Sequence, residues 1–239
     1  MDKRKFMEGA KHGLPICLGY LSVSFAFGMQ VVREGIPVWL AGLISLSNLT
    51  SAGQFAGTNI ILGGGTYLEI AMTTLVINLR YFLMSISVSQ KLSDRFDTKR
   101  RLAVSYGVTD EIFGVSVSQP GELTPAYMAG LIVLPVLGWT GGTLLGGTAT
   151  TLLPQRVTDA LGIALYAMFI AIVIPPAKVH RPVLICVLAA AALSTCFAFI
   201  PLLKNVSAGW SIIIIAISVS AVMAWLFPLN DEEGGAADA

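Results

Sequence analysis

The placing of charge constrains this chain more than any other feature, because most of the sequence carries none. Stretches free of Asp, Glu, Lys and Arg run over 12–32, 35–68, 70–79, 81–90, 102–109, 112–121, 123–155, 160–177, 182–203 and 205–230. Four of them (12–32, 160–177, 182–203 and 205–230) match the roughly 20 apolar residues that one helix needs to cross a bilayer. Only 12% of the 239 residues are charged, against about 25% in a typical soluble domain. That leaves too little polar surface for water, so the surrounding solvent is lipid. The expectation is an all-α integral membrane protein of about six to eight transmembrane helices, with at least one broken or re-entrant segment. It reads as one transmembrane domain over 1–230, followed by an acidic disordered tail at 231–239.

Basic residues near span ends mark the cytoplasmic side. Lys3, Arg4, Lys5 and Lys11 form one cluster, and Lys91, Arg95, Lys99, Arg100 and Arg101 form another. If both are cytoplasmic, an even number of crossings separates them. Three apolar units lie between them, 12–32, 35–68 and about 67–90, so one must enter and leave on the same side. The best candidate is 35–68, as two half-helices broken near Asn48-Leu49-Thr50-Ser51-Ala52-Gly53-Gln54. Backbone that is not helical survives at membrane depth only where protein or a water-filled cavity satisfies it, which makes the break a candidate site. The run 123–155 is likewise too long for one span and too short for two, with a Gly-rich interruption at Gly141-Gly142. The segments on either side of Asp110-Glu111 join into a span only if those acids lie in the membrane. The start, Met1-Asp2-Lys3-Arg4-Lys5, resembles a secretory leader. No A-x-A-like cleavage site follows it, so it reads as a retained span with a cytoplasmic N-terminus.

Arg80 has ten uncharged residues on each side. A charge at mid-bilayer costs from roughly 3 to over 10 kcal/mol depending on the scale, so the guanidinium needs an acid, carbonyls or water. It can grip an anionic solute group or form a structural ion pair. Asp110 and Glu111 are the available acids. Adjacent helical positions point about 100° apart, so one can pair with Arg80 while the other titrates or faces a cavity. Asn48, Ser51, Gly53 and Gln54 supply either an unwound binding segment or helix-to-helix polar glue. Gly138-x-x-x-Gly142-x-x-x-Gly146 reads as a close-packing face and not as chemistry, and Pro15, Pro135, Pro175 and Pro176 as kinks or ends.

Several functions find no support in the sequence. Cys17, Cys186 and Cys196 lie inside apolar runs without C-x-x-C spacing, as small hydrophobes do. His12 and His180 sit at span borders, no phosphate-binding loop is present, and basic residues do not alternate with aromatics. No enzyme activity, cofactor, metal site or nucleic-acid partner is expected.

Three groups of residues in order suggest a family: Ser47-x-x-x-Ser51-Ala52-Gly53-Gln54, then Asn78-x-Arg80-x-x-Leu83-x-Ser85, then Thr109-Asp110-Glu111-x-Phe113. With Gly13-x-Pro15 and Phe25-x-Phe27-Gly28 they resemble the AzlC/YgaZ family, most strongly over 9–115. The resemblance implies the large subunit of a branched-chain amino-acid exporter in the bacterial cytoplasmic membrane, working with a small AzlD/YgaH-like membrane subunit. It implies export of leucine, isoleucine and valine, extending to methionine and to exchange against protons. Asn48, Ser51, Gly53, Gln54, Asn78 and Arg80 would then bind the solute, with Asp110 and Glu111 for coupling or charge balance. The alternatives are a carrier or channel for another small anion, and a non-transporting membrane scaffold.

Overall fold

The computed structural model describes residues 2–152, 154, 156, 170, 173–201 and 203–228. The acidic tail and most of the expected span 160–177 lie outside them. The helices are α1 (Lys3–Arg33), α2 (Val38–Ser47), α3 (Ser51–Leu62), α4 (Tyr67–Gln90), α5 (Thr98–Tyr106), α6 (Asp110–Ser118), α7 (Pro125–Leu152), α8 (Arg181–Phe199) and α9 (Ala208–Leu226). Among the described residues, α1, α4, α7, α8 and α9 are long and apolar enough to cross a membrane. The chain is an all-α integral membrane protein. It forms two compact units, one of residues 1–58 and 77–166, the other of 59–76 and 167–239.

The first unit is organised on α1 and α7, which run parallel. Phe6 meets Gly130, Gly13 meets Leu131, Cys17 meets Gly138, Leu21 meets Gly142 and Phe25 meets Gly146. Glycines from both helices make this possible. A Cβ on Gly138 would stand 2.5 Å from the Cys17 carbonyl oxygen, and one on Gly13 would stand 2.6 Å from that of Leu131. The Gly138–Gly142–Gly146 face is therefore the inner seam of one subunit. Without a hydrophobic drive between helices in lipid, such close backbone approach is what holds them together. Gly141-Gly142 does not interrupt the helix. Residues 125–152 form one continuous α7, because Gly142 is filled from α1 by Ser24 and Leu21. Pro15 and Pro135 likewise lie within helices and not at their ends.

The other elements of this unit orient themselves against that pair. Asp2, Arg95, Arg100, Thr124 and Pro125 line one cavity, so the N-terminal tail, the loop after α4 and the start of α7 share one end, called basal here. Both basic clusters lie there, as the parity argument required. Residues 77–90 of α4 thus run toward the end from which α1 departs, antiparallel to it. The segment between them is broken as expected. α2 descends from the distal end, where Val38 meets Gly147, to mid-depth, where Ser45 meets Thr143. The chain breaks at Asn48–Thr50, and α3 turns back, its Phe55 ring edge-on to Phe27. At 1.5 Å per residue, α2 and α3 (10 and 12 residues) each reach about half of the hydrocarbon layer.

A second break divides 102–121, so the segments on either side of Asp110-Glu111 do not join into one span. α5 rises from the basal end and stops at Gly107, and α6 starts anew behind Thr109, whose hydroxyl accepts from the Ile112 N–H. α6 then returns to the basal end, where the Lys91 ammonium donates to the Val117 and Gln119 carbonyls at 2.6 and 2.5 Å. The physical reason is local. A Gly C-cap followed by a Thr N-cap with acids in the first turn ends one helix and begins another. In the second unit, α8 and α9 pack on each other. The N-terminus of α9 is capped by Glu69, which is 4% exposed. Its Oε1 accepts from the Gly209 N–H at 2.9 Å and from the Ser207 hydroxyl.

Candidate functional site

The two hairpins enter the first unit from opposite ends, and their tips meet halfway. Tyr20, Arg80 and Trp139 lie within about two residues of the midpoints of α1, α4 and α7, and all three touch a tip. The tips also touch each other, where the Tyr106 hydroxyl at the end of α5 donates to the Leu46 carbonyl in the last turn of α2.

At the distal tip, Asn48 Oδ1 accepts from the Thr50 hydroxyl at 2.8 Å and holds the break in shape. Gly53, in the first turn of α3, faces α4. A Cβ there would stand 3.1 Å from Asn78 Oδ1 and 3.3 Å from Nδ2. Gly53 is what lets the Asn78 amide lie against α3, so two residues 25 positions apart form one feature. Asn78 Oδ1 is buried without a hydrogen-bond partner, and Ser51 begins α3 two residues before Gly53. Gln54 points elsewhere. It is 1% exposed, donates to Ser45 Oγ at 2.6 Å and accepts from Trp139 Nε1 at 3.0 Å. Ser45 Oγ is 2.6 Å from Thr143 Oγ1. Both ends of that amide are engaged by protein.

At the basal tip the two acids part company, as helical geometry demands. Asp110 Oδ2 lies 2.9 Å from Arg80 Nη2, whose guanidinium also stands over the Tyr81 ring at 5.1 Å. Glu111 accepts from the buried Tyr20 hydroxyl, which sits 2.7 Å from Thr109 Oγ1. Tyr20 packs edge-on against Trp139, so the two aromatics form a partition between the tips. The side chains of Arg80 and Asp110 are 50% and 40% exposed at the surface of this helical assembly. Their pair is therefore accessible, unlike the sealed Gln54 cluster.

The structure thus joins Asn48, Ser51, Gly53 and Asn78 at one tip, and Arg80 with Asp110 at the other. α4 spans the interval, since Asn78 and Arg80 are two residues apart. Sequence reasoning overlooked Tyr20, Trp139, Ser45, Thr143 and Tyr106. Tyr20 and Trp139 had a signal: each is a ring with a polar tip in mid-span, and such groups seek a partner when buried.

Interrupted helices that carry polar groups and an accessible ion pair to mid-membrane place this chain among membrane transport proteins. The relatives agree. The chain belongs to the AzlC family, whose profile, described as AzlC protein, matches residues 15–153. It is similar to the inner membrane protein YgaZ of Escherichia coli, 29% identical over 192 residues covering 77% of this chain and 78% of that one. An uncharacterized membrane protein of Archaeoglobus fulgidus is 32% identical over 175 residues, covering 72% of this chain and 76% of its own length. The branched-chain amino acid transport protein AzlC of Bacillus subtilis is 25% identical over 182 residues, covering 73% and 70%. No solved structure matches the chain.

Proposed function

We propose that this protein is a secondary carrier that exports branched-chain amino acids across the bacterial cytoplasmic membrane. The observation that carries this reading is the Arg80–Asp110 pair, half-open at mid-depth beside a broken helix. A zwitterionic amino acid carries the same two charges. Its carboxylate can take the place of Asp110 on the guanidinium, whose planar fork suits it, and its ammonium can take the place of Arg80 on Asp110. Without solute the two side chains neutralise each other, so the empty carrier exposes no lone charge to lipid. Asn78 points to the other side of α4 from Arg80, where it braces the first turn of α3, with Ser51 and Gly53, beside the site. Glu111, held by Tyr20, is the group placed for charge balance or proton coupling. The apolar tail of valine, leucine or isoleucine suits an aliphatic surrounding, and the name of the Bacillus relative points to the same solutes.

The two basic clusters at the basal end favour a cytoplasmic N-terminus. α8 buries none of its residues within the chain, which leaves a face for a small AzlD/YgaH-like membrane subunit. The test is efflux from proteoliposomes preloaded with labelled valine, with the small subunit present. The expected result is release by the wild type and at least a tenfold slower rate for Arg80→Ala and Asp110→Asn. Wild-type rates in both variants would remove the proposed site. Selective passage of an inorganic anion in place of valine would replace the solute assignment.

A further inference from the structure

The helix ends that flank the two breaks repeat at an interval of 59 residues, and the other ends of the first six helices follow it within about five. Ser47 ends α2, and 59 residues later Tyr106 ends α5. Ser51 begins α3, and 59 residues later Asp110 begins α6. Moved by the same interval, α4 (Tyr67–Gln90) falls on 126–149, inside α7 (Pro125–Leu152), while α1 falls on 62–92 and contains α4. The two breaks match in detail. Leu49-Thr50-Ser51 corresponds to Val108-Thr109-Asp110, and the carbonyl of each Thr accepts the first N–H of its new helix, from Gln54 and from Phe113, both at 2.8 Å. Direction alternates through the series, since α4 opposes α1 and α7 runs with α1.

Contacts made across the two halves obey the same rule. Asn78 of α4 lies against the first turn of α3. Its counterpart position, 19, is one residue from Tyr20 of α1, which lies against the first turn of α6. The tip-to-tip contact, Leu46 with Tyr106, maps onto positions 105 and 47, itself displaced by one residue at each side. A contact that maps onto itself marks a two-fold axis, here lying across the helices at mid-depth.

We propose that α1–α3 and α4–α6 are an inverted repeat and that the Leu46–Tyr106 contact on its axis is the gate, opening the distal and basal hairpins in alternation to opposite faces of the membrane. A scaffold built from two inverted halves has, for every arrangement open to one face, a related arrangement open to the other. The chemistry is not repeated with the backbone. The counterparts of Arg80 and Asp110 are Leu21 and Ser51, so one charged site is served from both faces by equivalent halves. Tyr106 lies beside the pathway as a gate residue, because its hydroxyl closes onto the backbone of the opposite hairpin.

The test needs no solute. In a variant with Cys17, Cys186 and Cys196 replaced by Ser, Ser47→Cys and Ser105→Cys place one thiol near each tip, both at exposed positions. A membrane-impermeant maleimide applied from each face of sealed, oriented vesicles then reports access. The expected result is labelling of Ser47→Cys from one face and of Ser105→Cys from the other. Prior modification of Ser47→Cys with a bulky reagent, in a variant carrying both, should slow labelling of Ser105→Cys at least tenfold. Labelling of both from one face would overturn the inversion, and unchanged rates after prior modification would overturn the alternation. Failure here leaves the valine assignment standing, and failure of valine efflux leaves these rates unaffected.

Discussion

A matched pair of glycines on α7 offers a stringent test of what holds α1 to α7. Gly141 and Gly146 lie five residues apart on one helix, and Gly→Ala changes helix propensity equally at both. At Gly141 an added Cβ meets nothing within 4 Å. At Gly146 it would overlap the Phe25 carbonyl, with the Phe25 carbonyl carbon at 2.7 Å and its Cα at 2.9 Å. Those are backbone atoms of α1, so no side chain can swing away; the helices themselves must part. Ala is favoured over Gly inside a helix by about 1 kcal/mol, which sets the expectation for Gly141→Ala: slightly stabilising. At Gly146 the same gain is opposed by overpacking, which costs about 1–3 kcal/mol, and by loss of close contacts along the seam as the helices separate. The propensity gain is common to both and cancels, so Gly146→Ala should be less stable than Gly141→Ala by about 1–3 kcal/mol from overpacking alone, and by more where seam contacts are lost. Unfolding of the purified protein in mixed detergent, titrated with dodecyl sulfate, measures both on one scale. Equal stabilities for Gly141→Ala and Gly146→Ala would refute the claim that backbone contact along this seam carries the packing.

Other outcomes follow from the mid-depth contacts. Gln54→Leu leaves the Trp139 N–H without an acceptor, and one such buried orphan costs about 1–3 kcal/mol. Adding Trp139→Phe should recover part of that loss, and strict additivity in the same unfolding titration would contradict the hydrogen bond. The double variant Arg80→Gln/Asp110→Asn should express better than either single variant, because each single leaves an unpaired charge behind and the double leaves none, yet release no valine; efflux by the double variant would show the pair to be structural. Tyr20→Phe removes the hydroxyl from which Glu111 accepts, so it should slow valine efflux while leaving expression unchanged, and unaltered efflux would remove Glu111 from the transport step. Glu69→Gln keeps an acceptor for the Gly209 N–H but removes the charge at the α9 N-terminus. It should lower stability by less than Glu69→Ala, and the reverse ranking would show that the cap is not what Glu69 provides.

Much of this architecture was legible because lipid permits so few arrangements. Uncharged length alone located α1, α8 and α9, and the parity of the basic clusters required the hairpin at Val38–Leu62. Asn48, Thr50 and Gly53 were visible as residues out of place in an apolar run. The second hairpin was hidden because α5 begins with Thr98-Lys99-Arg100-Arg101, which reads as loop, although Gly107 and Thr109 carried the cap signals. Gly141-Gly142 misled in the other direction. Glycines that break a helix and glycines that admit a neighbour are the same letters, and only α1 across the seam distinguishes them. Gln54 stood out correctly as a mid-membrane amide. Its partners Ser45 and Trp139 come from elements 9 and 85 positions away, which no local pattern reveals. The 59-residue interval escaped notice because the helix ends repeat while the side chains do not.

The pairing of α1 with α7 also bears on how the protein is made. Between Arg33 and Pro125 the ribosome adds roughly 90 residues, which takes about 5–20 s at ordinary elongation rates. Throughout that delay the first helix sits in the bilayer with its glycine face bare, while both hairpins arrive before the surface that braces them. Biogenesis of the protein thus includes an obligatory waiting period, one in which an insertase or chaperone that shields small-residue faces would have the most to do.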